Sequence, residues 1–191
     1  MMEAIIIDTE TNSLYGEVIE LAWSEIGYKD CVHCERFNPS EPMDARAAAV
    51  HHISPRELKE CRPSHQASQS LPPSKIWIGH NIIYDWERLG RPVGIKLICT
   101  YQLAKLMWPK ISSYNLDSLF LSLYGVNHVT IRQISFAHSA ETDVIICRRV
   151  LERIVSESNI AHVSQLPSIS HPEMWKENDV LVTPRESIDV E

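Results

Sequence analysis

An α/β domain built on a mixed sheet is the fold class that this 191-residue sequence predicts. Three observations carry the prediction. Ile5-Ile6-Ile7 are consecutive β-branched residues, the pattern of a central strand buried on both faces. Two more strand patterns follow directly, and after them helical and strand patterns alternate. Ser139 to Ser156 then gives the clearest helix, with one apolar stripe along its length.

Taken in order, Glu17 to Ile26 and Cys31 to Phe37 read as the second and third strands. Gly27-Tyr28-Lys29-Asp30 supplies a hairpin turn between them. Met43 to His51 is alanine-rich and reads as a helix. Ser54-Pro55-Arg56-Glu57 opens another, with Ser at the N-cap, Pro in the first helical position and Glu in the third. Ser64 to Pro73 is polar and Pro-bearing, a surface loop or a frayed helix. Lys75 to Gly79 is a short strand, Asn81 to Leu89 a helix behind it, and Lys96 to Cys99 a fifth strand. Thr100 to Met107 and Asn115 to Tyr124 are helical, separated by Trp108-Pro109. In the last helix Ala140, Val144, Cys147, Leu151 and Ile154 line one side, opposite Arg148, Arg149, Glu152 and Arg153. Ser139 is its expected N-cap. Past about Pro167 the chain turns polar. The expected organisation is one domain over 1–160 and a C-terminal tail or peripheral extension over 161–191.

Bulk properties narrow the function. No apolar stretch approaches the ~18 residues of a membrane span, and Met1-Met2-Glu3-Ala4 lacks the basic region of a signal peptide. A cytoplasmic location without a membrane partner is expected. The five cysteines are odd in number and scattered, which is no disulfide framework. Cys31-Val32-His33-Cys34 has half of a zinc spacing with no second pair to complete it. The net charge of −7 disfavours wrapping a long duplex. It leaves room for a small site that grips a strand end, above all if acidic residues hold metal.

Asp8 and Glu10 are the first candidates for that chemistry. Residues i and i+2 of a strand share a side, so two carboxylates leave the core strand together. They repel unless a cation lies between them, and Mg²⁺ or Mn²⁺ prefer such oxygen ligands. A strand that ends in a polar turn would present the same pair. Asp85, after the Lys75–Gly79 strand, and Asp143, in the first turn of the last helix, are further acidic candidates. Each also suits a helix cap or the positive end of a helix.

Together and in this order, Asp8-Thr9-Glu10, then His80-Asn81-Ile82-Ile83-Tyr84-Asp85, then His138-Ser139-Ala140-Glu141-Thr142-Asp143 resemble the three motifs of the DEDDh exonucleases of the ribonuclease H-like superfamily. Ile98-Cys99-Thr100, Leu103 to Pro109 and Ala49 to Ile53 make the likeness closer to the bacterial exonuclease X group. The resemblance covers about residues 4 to 156. It implies a ribonuclease H-like mixed five-stranded sheet flanked by helices.

By that resemblance, Asp8, Glu10, Asp85 and Asp143 hold two Mg²⁺ or Mn²⁺ ions and His138 is the general base. Two metals ~3.5–4 Å apart activate a water and stabilise the leaving oxygen of a phosphodiester, and a His near its ordinary pKa of ~6.5 takes the proton. His138 and Asp143 would face apart within one helix, which puts His138 on the preceding loop. Backbone around Thr9 to Thr11 is expected to meet the 3′-terminal sugar, with Leu14 and Tyr15 wedging or stacking on terminal bases. The alternative for Leu14 and Tyr15 is packing on the sheet. His80 and Asn81 complete the expected substrate-contacting set, His80 with the alternative of bracing the site. The activity so implied is a 3′→5′ exodeoxyribonuclease that releases nucleoside 5′-monophosphates from a nucleic-acid 3′ end, DNA before RNA. An exoribonuclease or oligoribonuclease with the same chemistry is the first alternative, and a non-catalytic interaction module on the same fold is the second. The sequence leaves the oligomeric state open.

Overall fold

Ile5, Ile6 and Ile7 have no polar side to turn toward water, and the chain buries all three completely at the centre of its sheet. A computed structural model describes residues 2–27, 31–135 and 138–168. Strand β1 (Met2–Thr11) pairs antiparallel with β2 (Val18–Glu25), which pairs antiparallel with β3 (His33–Asn38). Helices α1 (Ala45–His51) and α2 (Pro55–Leu58) follow, then β4 (Arg62–Pro63) and a 3₁₀ turn over Ser64–Ser70. The second half runs β5 (Ser74–Gly79), α3 (Ile83–Arg88), β6 (Lys96–Cys99), α4 (Thr100–Met107), α5 (Leu116–Tyr124), α6 (His128–Gln133) and α7 (Ala140–Glu157). The sheet order is β4-β3-β2-β1-β5-β6, with β5 and β6 parallel to β1. This is the mixed sheet flanked by helices that the sequence predicts, with six strands in place of five.

The extra strand is β4, two residues pairing with Phe37 and Asn38 at the sheet edge. A two-residue segment that ends in Pro carries no period-two pattern, and an edge is where Pro is tolerated. Helix α6 was also outside the expectation. Its six residues expose Val129 and Ile131, so no apolar stripe announces it. The hairpin turn expected at Gly27–Asp30 opens at Gly27 with φ 103°, which favours glycine, and residues 28–30 lie outside the described residues. At α2, Pro55 takes the first position and the Glu57 carboxylate accepts the Ser54 N–H at 2.8 Å, as expected.

Alternation along β1 divides the core. Ala4 and Ile6 face α4, α5 and α7, where Leu103, Leu119, Val144, Cys147 and Leu151 bury. Ile5 and Ile7 face the opposite side, against Phe37, Ile82 and Leu97. The expected stripe of α7 is buried as predicted. Arg148 is not on the solvent side, however: it is 6% exposed and donates to the Ser24 hydroxyl and to the Glu25 carbonyl at 3.1 Å. Because α7 packs on β2 as well as β1, the flank of its stripe reaches acceptors at the end of β2. Val163 and Leu166 also join this core, so the packed chain reaches beyond residue 160. The remainder of the expected extension, from 169 onward, lies outside the described residues. Among the described residues no helix is long and apolar enough to cross a membrane.

Candidate active site

The same alternation that sorts the isoleucines places the acids. Asp8 and Glu10 share the face of Ala4 and Ile6, so they point to the side covered by α7. The first turn of α7 brings Asp143 to them. One oxygen from each of Asp8, Glu10 and Asp143 lies within 4.8 Å of the others. Residues of β1 on the alternate positions do different work. Thr9 donates its hydroxyl to Asp85 Oδ1 at 2.7 Å, and the Thr11 and Tyr84 hydroxyls meet at 2.6 Å.

Asp85 is 3% exposed in the first turn of α3. Close approach of its segment to β1 depends on Gly79: a Cβ there would stand 2.8 Å from Ile82 Cδ1 and 3.1 Å from the Ile7 carbonyl oxygen. Asp85 does not join the group of three at the same closeness, but its charge acts on both Asp8 and Glu10.

Crowding these carboxylates away from water is costly, and their proton affinities show it. Asp8 is pushed well above the usual carboxylate range, first by burial, then by Asp143, Asp85, Glu10 and Glu20. Glu10 is pushed up to about 9 by burial and by Asp143, Glu20 and Asp85. Burial raises Asp85 to about 7 against the opposing Thr9 hydrogen bond. Burial and the neighbouring Asp117 raise Asp143 to about 6, with His138 pulling the other way. An all-oxygen donor set that repels itself when charged is the environment a hard divalent cation relieves. The residues present fit such an ion.

His138 lies on the loop before α7, exposed, with φ 64°. Its backbone N–H donates to Asp143 Oδ1 at 3.3 Å, and Ser139 caps the helix by accepting the Thr142 N–H. The preceding residues 136 and 137 lie outside the described residues. His80 has both ring nitrogens engaged within the protein, with the Thr100 hydroxyl at 3.0 Å and the Tyr114 carbonyl at 2.7 Å. A carbonyl only accepts, so Nε2 carries the proton and the ring braces β5 to the segment before α5. Asn81 is exposed with φ 69°.

Leu14 and Tyr15, in the loop after β1, are 65% and 79% exposed, so neither packs on the sheet. Arg88 of α3 holds that loop by donating to the Tyr15 carbonyl at 2.7 Å, and its guanidinium lies over the Tyr15 and Tyr84 rings. Beside Glu10 opens a cavity of about 300 Å³, lined among others by Thr11, Leu14, Arg46, Val50 and Tyr84. Sequence reasoning missed Arg88, Arg46, Asp117 and Glu20 here. Glu20 alone gave a signal, as a charge within the apolar run Val18-Ile19-Glu20-Leu21-Ala22.

No protein-family model matches the chain. It is 28% identical over 113 residues to exodeoxyribonuclease 10 of Escherichia coli K12 and, equally, to the protein of that description from E. coli O6:H1. Those alignments take in 58% of this chain and 51% of the relatives, so the chain spans about half the length of the curated relatives it matches. Among solved structures it is similar to exonuclease X in complex with 5′-overhanging duplex DNA, with a TM-score of 0.68, 24% identity, and coverage of 83% of this chain and 94% of that one. It is also similar to E. coli exonuclease I bound to single-stranded DNA, in its zinc-bound form, with a TM-score of 0.56 and 13% identity over 82% and 43% of the two chains. In sequence and in fold the chain thus resembles the exonuclease X group, as its three motifs suggested.

Proposed function

We propose that the chain is a metal-dependent 3′→5′ exodeoxyribonuclease that releases nucleoside 5′-monophosphates from the 3′ end of DNA. The observation that carries this reading is the convergence of Asp8, Glu10 and Asp143, from two elements more than 130 residues apart, into one oxygen-lined group beside an open cavity. The DNA-bound state of the structurally similar exonucleases supports DNA as the substrate class.

In this reading Asp8, Glu10, Asp85 and Asp143 hold Mg²⁺ or Mn²⁺, two ions per site. Ions held by these four carboxylates would polarise the terminal phosphate and offset the charge of the leaving O3′. His138 accepts the proton of the attacking water as the water oxygen bonds to phosphorus and the P–O3′ bond breaks. Its exposure on a loop gives the ring access to the phosphate, while its backbone bond to Asp143 fixes where the loop meets α7. Thr9 orients Asp85. The terminal nucleotide enters the cavity beside Glu10, where backbone at Thr9 to Thr11 meets the sugar and Leu14 and Tyr15 meet the bases. His80 and Asn81 complete the substrate-contacting set in this reading, His80 as a brace rather than through a free ring nitrogen.

Single-stranded DNA, duplex DNA and RNA carrying either a 5′ or a 3′ label test this in one gel with Mg²⁺, Mn²⁺ or EDTA. A 5′ label is expected to run as a ladder shortening with time, a 3′ label to appear at once as a mononucleotide, and EDTA to stop both. Release of the 5′ label first, or no cleavage in either metal, overturns the reading. Faster loss of RNA than of DNA would move the substrate class to RNA.

A further inference from the structure

Glu20 is a buried carboxylate that the reaction above does not use. It is 2% exposed in the middle of β2, directly across the register from Glu10 of β1. A charge so buried needs partners, and it has two of different kinds. Oε1 accepts from Arg36 Nε of β3 at 2.8 Å, and Oε2 accepts the backbone N–H of Ala140 at 2.9 Å. Ala140 is the first residue of α7 and lies 120 positions along the chain. The first amides of a helix have no partner within it and form its positive end, so a carboxylate placed there binds and orients the whole helix. Arg36 is itself held by Glu57 of α2 at 2.7 Å, which fixes the carboxylate from the other side.

The two ends of this contact matter for the site. Two residues before Ala140 is His138, and three residues after it is Asp143. Glu20 therefore fastens α7 to the sheet between His138 and Asp143, the second of which meets Asp8 and Glu10. Each Glu20 oxygen is already engaged, and Glu20 stands outside the group of three carboxylates that converge. We infer that Glu20, clamped by Arg36, is a positioning residue that sets the start of α7 against the sheet and with it the distance of Asp143 and His138 from Asp8 and Glu10. This rests on the nuclease reading for its effect on turnover, but its effect on metal affinity is separate.

The full-length chain is compared as wild type, E20A, E20Q, A140P and E20A/A140P. A140P deletes the N–H that Glu20 receives, at a position where Pro suits a helix and after a residue already extended (Ser139, φ −113°, ψ 135°), but it also adds ring carbons where Ala140 is fully buried, so E20A carries the comparison and A140P corroborates it. Calorimetry gives Mn²⁺ affinity, and turnover of a DNA oligonucleotide gives kcat and KM well below the melting temperature. We expect Mn²⁺ affinity to fall about tenfold or more in E20A and A140P, the size typical when a supporting contact behind a metal ligand is lost. We expect kcat to fall about 10²-fold, with KM within about twofold, as displacement of reacting groups by ~1 Å predicts. E20Q, which keeps an acceptor for Ala140, should recover part of both. The double variant should be no worse than the more impaired single one, since E20A and A140P share the Glu20–Ala140 contact. Wild-type Mn²⁺ affinity and kcat in E20A and A140P, with only the melting temperature lowered, overturn the inference. An inactive wild type removes the nuclease reading, while the calorimetric comparison still decides the role of Glu20.

Discussion

Replacing Asp143 by Asn removes the charge from one of three crowded carboxyl groups while keeping an oxygen that accepts the His138 N–H. Asp143 holds its proton to about 6 in the folded protein against 3.8 ordinarily. At pH 8 the folded chain therefore carries a charge that the unfolded chain carries more easily. A shift of about two pH units corresponds to roughly 3 kcal/mol, reduced to roughly 1–3 kcal/mol because the amide also loses water on burial. For a chain of this size that is about 2 to 12 °C in melting temperature. The neutral variant should thus be more stable than wild type in EDTA. Metal reverses the order. Mn²⁺ at a hundred times its Kd stabilises wild type by about 2.7 kcal/mol, or about 5 to 11 °C, and D143N should lose most of that. Thermal melts at pH 8 in EDTA and in Mn²⁺ read both effects. A variant that melts lower than wild type in EDTA, or that keeps the whole Mn²⁺ shift, refutes the reasoning, because Asp143 would then be a favourable fold contact or no part of the metal group.

Four further outcomes follow from the same geometry. H138A should lower kcat by about 10²- to 10⁴-fold while the Mn²⁺ melting shift stays near wild type, since only the ring is removed and the backbone bond to Asp143 remains; unchanged turnover in a rapid-quench assay would dismiss His138 as the base. The metal-free protein should lose stability as pH rises: Asp143 and Asp85 hold protons to about 6 and about 7 when folded, so the unfolded chain releases them first and the folded state weakens between about pH 4 and 8. Melts across that range in EDTA check the sign, and a rising curve would contradict it. T9V should cost about 1–3 kcal/mol in urea denaturation by leaving the buried Asp85 oxygen without its donor. L14A and Y15A should leave stability within about 0.5 kcal/mol, both side chains being exposed, yet raise KM for DNA; an unaltered KM would leave the cavity without a role in holding bases.

Much of the architecture was legible because it is local. The β-branched run of β1, the capping box of α2 and the stripe of α7 each announce an element through neighbouring residues. Asp8, Glu10 and Asp143, which the structure brings together, stood out for the same reason, in short motifs placed at the ends of such elements. Where the pattern is short the sequence says little: β4 has two residues and α6 six, with apolar groups left exposed. Arg148 misled through the same logic, because a helical wheel ranks residues by angle and cannot tell that β2 offers acceptors to that flank. The exposure of Leu14 and Tyr15 belongs here too, since loop side chains follow no period at all.

What the sequence determined by itself is the set of elements and which side of each strand is apolar, so that Asp8 and Glu10 had to share a face. Only the tertiary structure decided which distant groups meet that face. Asp143 arrives because α7 crosses β1, Asp85 is held by Thr9 from the other side of the strand, and Glu20 reaches the first amide of α7 across 120 positions. Such contacts are set by how helices pack on a twisted sheet, a property of many residues together, and no spacing along the chain encodes them singly.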